Sequence, residues 1–301
     1  MVKDKVVVVT GAGGGIGRDF ALAFSAHGAK VVVNDLGTSV AGEGASAGPA
    51  QKVVDEIKAR GGQAVASADS VAEWEAANRI VKTAIDAFGR IDCVVNNAGI
   101  LRDRFFFNMS VEEWKAVIDV HLNGSFYVSR AAAPYFKSQN SGCYVNMTST
   151  SGLIGNLGQA NYSAAKLGIA GLSKSIALDM AKYQVRTNSI APFAWSRMIG
   201  SIPTETPEQK ARVEKMKVMQ TSKIAPLAVY LASDAGQEVS GQIFAVRANE
   251  IFLMSQSRPV RSVHRAGGWT PQDIADHGMP ALKASFFPLD RTQDIFTWDP
   301  L

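Results

Sequence analysis

Along this chain, short runs in which nearly every residue is apolar alternate with longer stretches whose apolar residues return every three or four positions. Val6 to Thr10 is the first short run, and an unbroken apolar strand is expected where both faces of a sheet are covered. A helical stretch from Gly15 to His27, stopped by Gly28, leads to a second strand over Lys30 to Asp35. The pattern then predicts a helix over Gln51–Arg60, a strand over Gln63–Ala68 and a helix over Glu73–Phe88. Strand four is Ile91–Asn96, and helices at Val111–Asp119 and Ser125–Ser138 lead to strand five near Cys143–Thr148. A long helix over Gln159–Lys182, strand six over Val185–Ile190 and a helix over Lys223–Ser233 precede a last strand at Gln242–Val246.

This alternation predicts an α/β fold, a doubly wound parallel sheet of about seven strands with helices on both faces, in the Rossmann manner. The segment Leu36 to Ala50 is rich in Gly, Ala and Ser and reads as a loop. It is long for a strand-to-helix connection, which more often marks function than structure. Thr206-Pro207-Glu208 gives a cap, a first-turn proline and an early acid, and starts a polar helix to about Gln220 that suits a lid. Thr270-Pro271-Gln272-Asp273 marks one further helix start.

Composition narrows the picture only slightly. With 301 residues, 47% hydrophobic and 19% charged, the chain reads as an ordinary soluble protein. A net charge of +4 without a long basic run argues against nucleic acid as a partner. Cys93 and Cys143 each sit inside a strand-like run and read as small buried hydrophobes in a reducing compartment. His27, His121, His264 and His277 show no ligand spacing, so no metal is expected. The first strand begins almost at the N-terminus, no apolar run approaches membrane length, and the final Trp298-Asp299-Pro300-Leu301 is not a peroxisomal address. The expectation is a cytoplasmic protein with no membrane partner.

Two stretches carry chemistry. Thr10-Gly11-Ala12-Gly13-Gly14-Gly15-Ile16-Gly17 joins the first strand to the first helix, with glycines at 11, 15 and 17. Such a turn lets backbone approach a pyrophosphate that faces the helix N-terminus. Asp35 ends the second strand, where a carboxylate can accept from an adenosine ribose and repel a 2′-phosphate, so NAD is expected over NADP. Asp69 and Ser70 after strand three read either as contacts to the adenine edge or as a helix cap. In the long helix Tyr162 and Lys166 lie one turn apart, and a cation beside a phenol favours its ionised form. Ser149 would stand at the carboxyl end of strand five, where open α/β sheets place their ligands.

Taken together, Thr10–Gly17, Asn96-Asn97-Ala98-Gly99, Ser149 and Tyr162-x-x-x-Lys166 resemble the short-chain dehydrogenase/reductase family in order and spacing over about 250 residues. The resemblance implies that Tyr162 is the acid/base, that Ser149 bonds the substrate oxygen, and that Lys166 lowers the Tyr162 pKa and binds the nicotinamide ribose. It places Asn96, Ala98 and Gly99 along the cofactor cleft, Pro192 in the loop that seats the nicotinamide, and Ser196 on its carboxamide. The family commonly has Asn-Leu in the helix after strand four, where this chain has His121-Leu122 and then Asn123. Either the His121 backbone still holds a water for the lysine or Asn123 supplies the side chain, while a structural His in a helix kink is the plain alternative.

Runs such as Val33-Asn34-Asp35-Leu36-Gly37 and Gly158-Gln159-Ala160-Asn161-Tyr162 resemble the (3R)-hydroxyacyl-CoA dehydrogenase branch, also associated with 17β-hydroxysteroid oxidation. The implied activity is reversible NAD-dependent oxidation of a secondary alcohol on a bulky apolar substrate. Aryl-alkyl alcohols and a non-catalytic NAD-sensing protein are the alternatives. Residues 1–247 would be the dinucleotide-binding catalytic domain, and 248–301 an extension packed on it or on an oligomer partner. Ser151–Gly158, Phe193–Thr206 and the lid helix would frame the pocket, with Leu153, Ile154, Leu157, Phe193, Trp195, Met198 and Ile199 as an apolar wall. Arg102 and Arg104 could attract an acyl-CoA phosphate. The resemblance also implies a homodimer or homotetramer.

Overall fold

A computed structural model of the chain describes residues 1–39, 41–44, 48–194, 206, 214, 216 and 218–301. Most of the expected lid helix, together with Trp195, Ser196, Met198 and Ile199, lies outside the described residues. The sheet contains β1 (Val6–Thr10), β2 (Lys30–Asn34), β3 (Gln63–Ser67), β4 (Cys93–Asn96), β5 (Gly142–Met147), β6 (Val185–Phe193), β7 (Ile243–Arg247) and β8 (Glu250–Leu253). Their order is β3-β2-β1-β4-β5-β6-β7-β8, and every pairing is parallel except β7 with β8.

Side chains alternate between the two faces of a strand, which explains the all-apolar run of β1. Val7 and Val9 join a core beneath α1 (Gly15–Ala26), α2 (Gly48–Ala59) and α8 (Ala225–Ala232), through Phe20, Phe24, Ile57 and Leu231. Val6 and Val8 enter the opposite core, under α3 (Trp74–Phe88) and α5 (Gly124–Gln139), with Ile80, Val81, Val128 and Phe136. Each such side chain, fully buried, stabilises the fold by about 1.5–3 kcal/mol relative to exposure. The first crossover runs from β1 to β2 and on to β3, whereas the second half restarts at β4 on the other side of β1. That reversal opens a crevice at the carboxyl ends of β1 and β4, where such sheets bind ligands.

Three features differ from the sequence expectation. The sheet has eight strands instead of about seven, because β8 folds back antiparallel on β7 with Arg247 opposite Glu250. The hairpin turns at Ala248 and Asn249, and Ala248 adopts a left-handed φ of 52° without a glycine to announce it. Residues 250–253 thus continue the sheet beyond β7. The helices expected at 111–119 and 125–138 form one continuous rod, α4 (Val111–Ile118) passing into α5 through a widened π-type turn over Asp119–Asn123. Finally α2 starts at Gly48, which shortens the long loop.

Candidate active site

A cleft of about 1260 Å³ opens along the carboxyl ends of β1, β2 and β4. Gly11 and Gly13–Gly17 line it, as do Asp35, Asp69, Ser70, Ala98, Gly99, Tyr162, Lys166 and Pro192. The start of α1 faces it with no side-chain cap and no acidic residue in the first turn. Its backbone N–H groups are thus left for an anion, and the helix dipole favours one there. The Asp35 carboxylate accepts from the N–H of Gly13 and of Gly37, both at 2.7 Å. These features and the size of the cleft fit a dinucleotide.

Asn96 does not line this cleft. It is 4% exposed and points into the core, where its amide donates to Ser129 Oγ and Asn146 Oδ1, both at 2.8 Å. Its neighbour Asn97 faces the cleft instead and donates to the carbonyls of Thr10 and Gly11 at 3.0 Å. Thr10 Oγ1 in turn accepts from the N–H groups of Asn97 and Ala98, at 3.0 and 3.1 Å. This clasp between β1 and β4 was not read from the sequence, although strand alternation permits only one of two adjacent asparagines to face the cleft. The Asp69 side chain pairs with Arg79 at 2.7 Å, and Ser70 Oγ accepts from Ala72 N–H, so both also serve the loop before α3.

The other end of the cleft holds Tyr162 and Lys166, one turn apart on α7 (Ala160–Met180). Asn161, fully buried, fixes that helix start by donating to the carbonyls of Arg102 and Glu113 and accepting from Tyr162 N–H. Lys166 Nζ stands 5.5 Å from the centre of the Tyr162 ring and donates to the Met147 carbonyl at 2.6 Å. Thr148 Oγ1 donates to the Lys166 carbonyl at 2.7 Å, tying α7 to the end of β5. Ser149 caps the short helix α6 (Thr150–Leu153) by accepting from Ser151 N–H at 3.1 Å. The Ser149 hydroxyl also acts on the Tyr162 phenol, lowering its pKa against the effect of burial.

Burial decides the charges of this cluster. It pushes the Tyr162 phenol up to about 12; the Ser149 hydroxyl works against the rise and Asp103 adds to it. Burial alone brings the Lys166 ammonium down to about 7. The expectation of a phenol acidified by its lysine is thus not met in the chain by itself, because burial raises the phenol. His121 is held neutral, its pKa lowered to about 3 by burial and then by the charge of Lys166.

These shifts have opposite consequences for stability. From pH 7 to 10.5 the unfolded chain holds a proton at Lys166 that the folded chain has released, so stability should rise with pH there by at most ~1.4 kcal/mol per unit. Between about pH 10 and 12 the Tyr162 phenol reverses the sign, because the folded form then holds the extra proton. Urea midpoints from pH 7 to 10 should climb in the wild type and climb less in Lys166→Met. Parallel slopes in the two proteins would contradict this assignment.

The π-type turn brings His121 to the site and keeps Asn123 from it. The His121 ring meets the Tyr162 ring edge to face at 5.2 Å. Its Nε2 lies 3.0 Å from the Ile100 N–H and 2.8 Å from the Ile100 carbonyl, and the tautomer decides which is bonded. The His121 carbonyl accepts from Ser125 Oγ at 2.6 Å, whereas the Asn123 amide donates to Asp119 at 2.8 Å. Arg104 pairs with Glu113 at 2.9 Å and Arg102 lies 3.5 Å from Glu43, so an acyl-CoA phosphate would compete with carboxylates for both. Among the described residues no group of three or more His, Cys, Asp or Glu is placed to hold a metal, and no helix is long and apolar enough to cross a membrane.

Comparison with known proteins agrees with this geometry. Residues 5–196 match the family model for short chain dehydrogenases. The chain is 49% identical over 293 residues to the peroxisomal hydratase-dehydrogenase-epimerase of Saccharomyces cerevisiae, covering 97% of this chain but 31% of that protein. It thus spans about a third of the length of that protein and of the peroxisomal multifunctional enzyme type 2 of Mus musculus. A short chain dehydrogenase crystal structure from Mycobacterium avium superposes with a TM-score of 0.83 at 41% identity, covering 95% of this chain and 97% of that one. A 7α-hydroxysteroid dehydrogenase complexed with NADH and 7-oxo glycochenodeoxycholic acid gives a TM-score of 0.72 at 29% identity, covering 82% and 94%. The chain belongs to the short chain dehydrogenase family.

Proposed function

We propose that this protein interconverts a secondary alcohol and a ketone on a bulky apolar substrate, a (3R)-3-hydroxyacyl-CoA or a 17β-hydroxysteroid, with NAD as the cofactor. Family membership supports the class, an oxidoreductase acting on a CH–OH group. The reading rests chiefly on one observation: Tyr162 and Lys166 line one end of a cleft whose other end suits a pyrophosphate and a ribose, and the Ser149 hydroxyl acts on the Tyr162 phenol.

Gly11, Gly15, Ile16 and Gly17 would hold the pyrophosphate, Asp35 the adenosine ribose, and Asp69 with Ser70 the adenine side. Ala98, Gly99, Pro192 and Lys166 would line the nicotinamide half. The bound dinucleotide supplies or accepts the hydride. A phenol held near 12 is protonated at neutral pH, which suits Tyr162 to give its proton to a carbonyl oxygen during reduction. Ser149 would donate to that same oxygen and stabilise its developing charge. Lys166, balanced near 7, can hold or release a proton beside the phenol. The His121 ring fixes the phenol's orientation. An assembly of two or four copies and a cytoplasmic location remain part of this proposal, although the Saccharomyces cerevisiae relative is peroxisomal.

The test is a panel of a (3R)-hydroxyacyl-CoA, a 17β-hydroxysteroid and an aryl alcohol, each with NAD and NADP. Turnover of either of the first two with NAD supports the reading. A protein that binds NADH yet oxidises none of them would favour the non-catalytic alternative. Asp35→Ala should narrow the preference for NAD over NADP at least tenfold in kcat/KM, about 1.4 kcal/mol of discrimination, by removing the carboxylate that repels a 2′-phosphate. An unchanged ratio would remove Asp35 from the role.

A further inference from the structure

The last dozen residues do not fray from the surface as chain ends commonly do. They are fixed at both ends of a short span. At one end Thr292 donates to the Gly155 carbonyl through its N–H at 3.0 Å and through its hydroxyl at 3.3 Å. Gly155 lies in the loop that leaves Ser149 and the short helix α6. At the other end the Phe296 ring packs edge to face on Phe193 at 4.8 Å and on Phe252 at 5.3 Å. Phe193 directly follows Pro192, which lines the cleft.

A buried cation anchors this end. The side chain of Arg247 is 7% exposed, and its guanidinium stands 5.9 Å from the Phe296 ring and 5.3 Å from the Trp298 ring. It also donates to the Trp298 carbonyl. Trp298 Nε1 donates to Glu250 at 2.8 Å, and Asn249 N–H donates to the carbonyl of Leu301 at 2.7 Å. A desolvated guanidinium over two aromatic faces is a strong non-covalent anchor. The tail is therefore built into the fold and bridges the loop after Ser149 to the end of β6, the two walls expected to flank the substrate.

We propose that this C-terminal clasp closes the substrate side of the site, and that Phe296 sets its preference for a long or bulky apolar group. The inference rests on the alcohol dehydrogenase reading above and deepens it. Phe296 touches neither the reacting atoms nor the cleft that suits the dinucleotide. Its replacement should change recognition of the distal part of the substrate and leave the chemistry and the cofactor alone. An aromatic contact together with the apolar area it buries amounts to about tenfold in affinity or more.

The experiment compares wild type with Phe296→Ala on (3R)-3-hydroxybutyryl-CoA and (3R)-3-hydroxydecanoyl-CoA. KM for the long thioester should rise about tenfold, while kcat and KM for the short one and the dissociation constant for NADH stay within about twofold. Phe296→Leu, which keeps apolar bulk, should restore most of the long-chain affinity. Equal losses on both thioesters, or no loss on either, would overturn the inference. Calorimetric binding of the same two thioesters to the NADH complex reads the clasp without turnover. A wild type that discriminates them in binding but turns over neither would count against the dehydrogenase reading and leave the clasp standing. A wild type that binds both no better than the variant would overturn the clasp.

Discussion

Tyr162→Phe should lower kcat by ~10³-fold or more while the dissociation constant for NADH moves less than about twofold. The substitution removes one oxygen and keeps the ring. The edge-to-face contact with His121 and the Lys166 ammonium over the ring face would both persist. On the proposed reading only the group that gives or takes the proton is lost, along with the influence of the Ser149 hydroxyl on it. Stability should fall little or even rise, because a buried hydroxyl disappears together with part of its desolvation cost. Stopped-flow turnover and NADH fluorescence titration on the same preparation decide the matter. A variant retaining a tenth of the wild-type rate would remove Tyr162 from the chemistry.

The second large effect is expected at Gly17. A Cβ built there would lie 2.1 Å from the Gly11 carbonyl oxygen and 2.5 Å from Asn97 Nδ2. Neither neighbour can yield: the first is backbone of the turn that follows β1, and the second clasps β1 to β4. Gly17→Ala should therefore lose several kcal/mol of stability, and any protein that folds should bind NADH at least a hundredfold more weakly. Gly15 is the control. A Cβ there meets nothing within 4 Å, but its φ of +52° costs a side chain about 1–2 kcal/mol. Urea denaturation should rank wild type above Gly15→Ala and Gly15→Ala above Gly17→Ala. Equal stability for the two variants would mean that the α1 turn adapts more than its contacts imply.

Much of the fold was legible because the sheet is covered on both faces. Its inner strands carry apolar side chains on both faces, and an unbroken run such as Val6–Val9 stands out against the helices. β8 escaped notice because Glu250–Leu253 is short, alternates in exposure and follows a turn with no glycine. The π-type turn has no local signature either. It depends on the His121 ring reaching Ile100, a contact across 21 positions. The site was read to the element but not always to the side chain. Asn96 and Asn97 look interchangeable until the pleat assigns one to the core and the other to the cleft.

Charge was harder to foresee than position. Spacing alone puts an ammonium beside a phenol, and that suggests an acidified tyrosine. Burial, which spacing does not reveal, instead raises Tyr162 and lowers Lys166. The clasp was the least visible element. Phe193, Arg247, Phe252 and Phe296 are spread over a hundred positions, and no local pattern links them.

The widened turn at Asp119–Asn123 also sets the angular phase of everything that follows it. A regular α-helix advances about 100° per residue, so the extra residue accommodated there rotates α5 by roughly that angle relative to α4. With this offset His121 points at the Tyr162 ring while Val128, Ala132 and Phe136 still face the sheet. A rod without it could serve the catalytic end or the core end, but not both at once. Exchanging the side chain at position 121 should therefore disturb the rod far less than changing the number of residues around it.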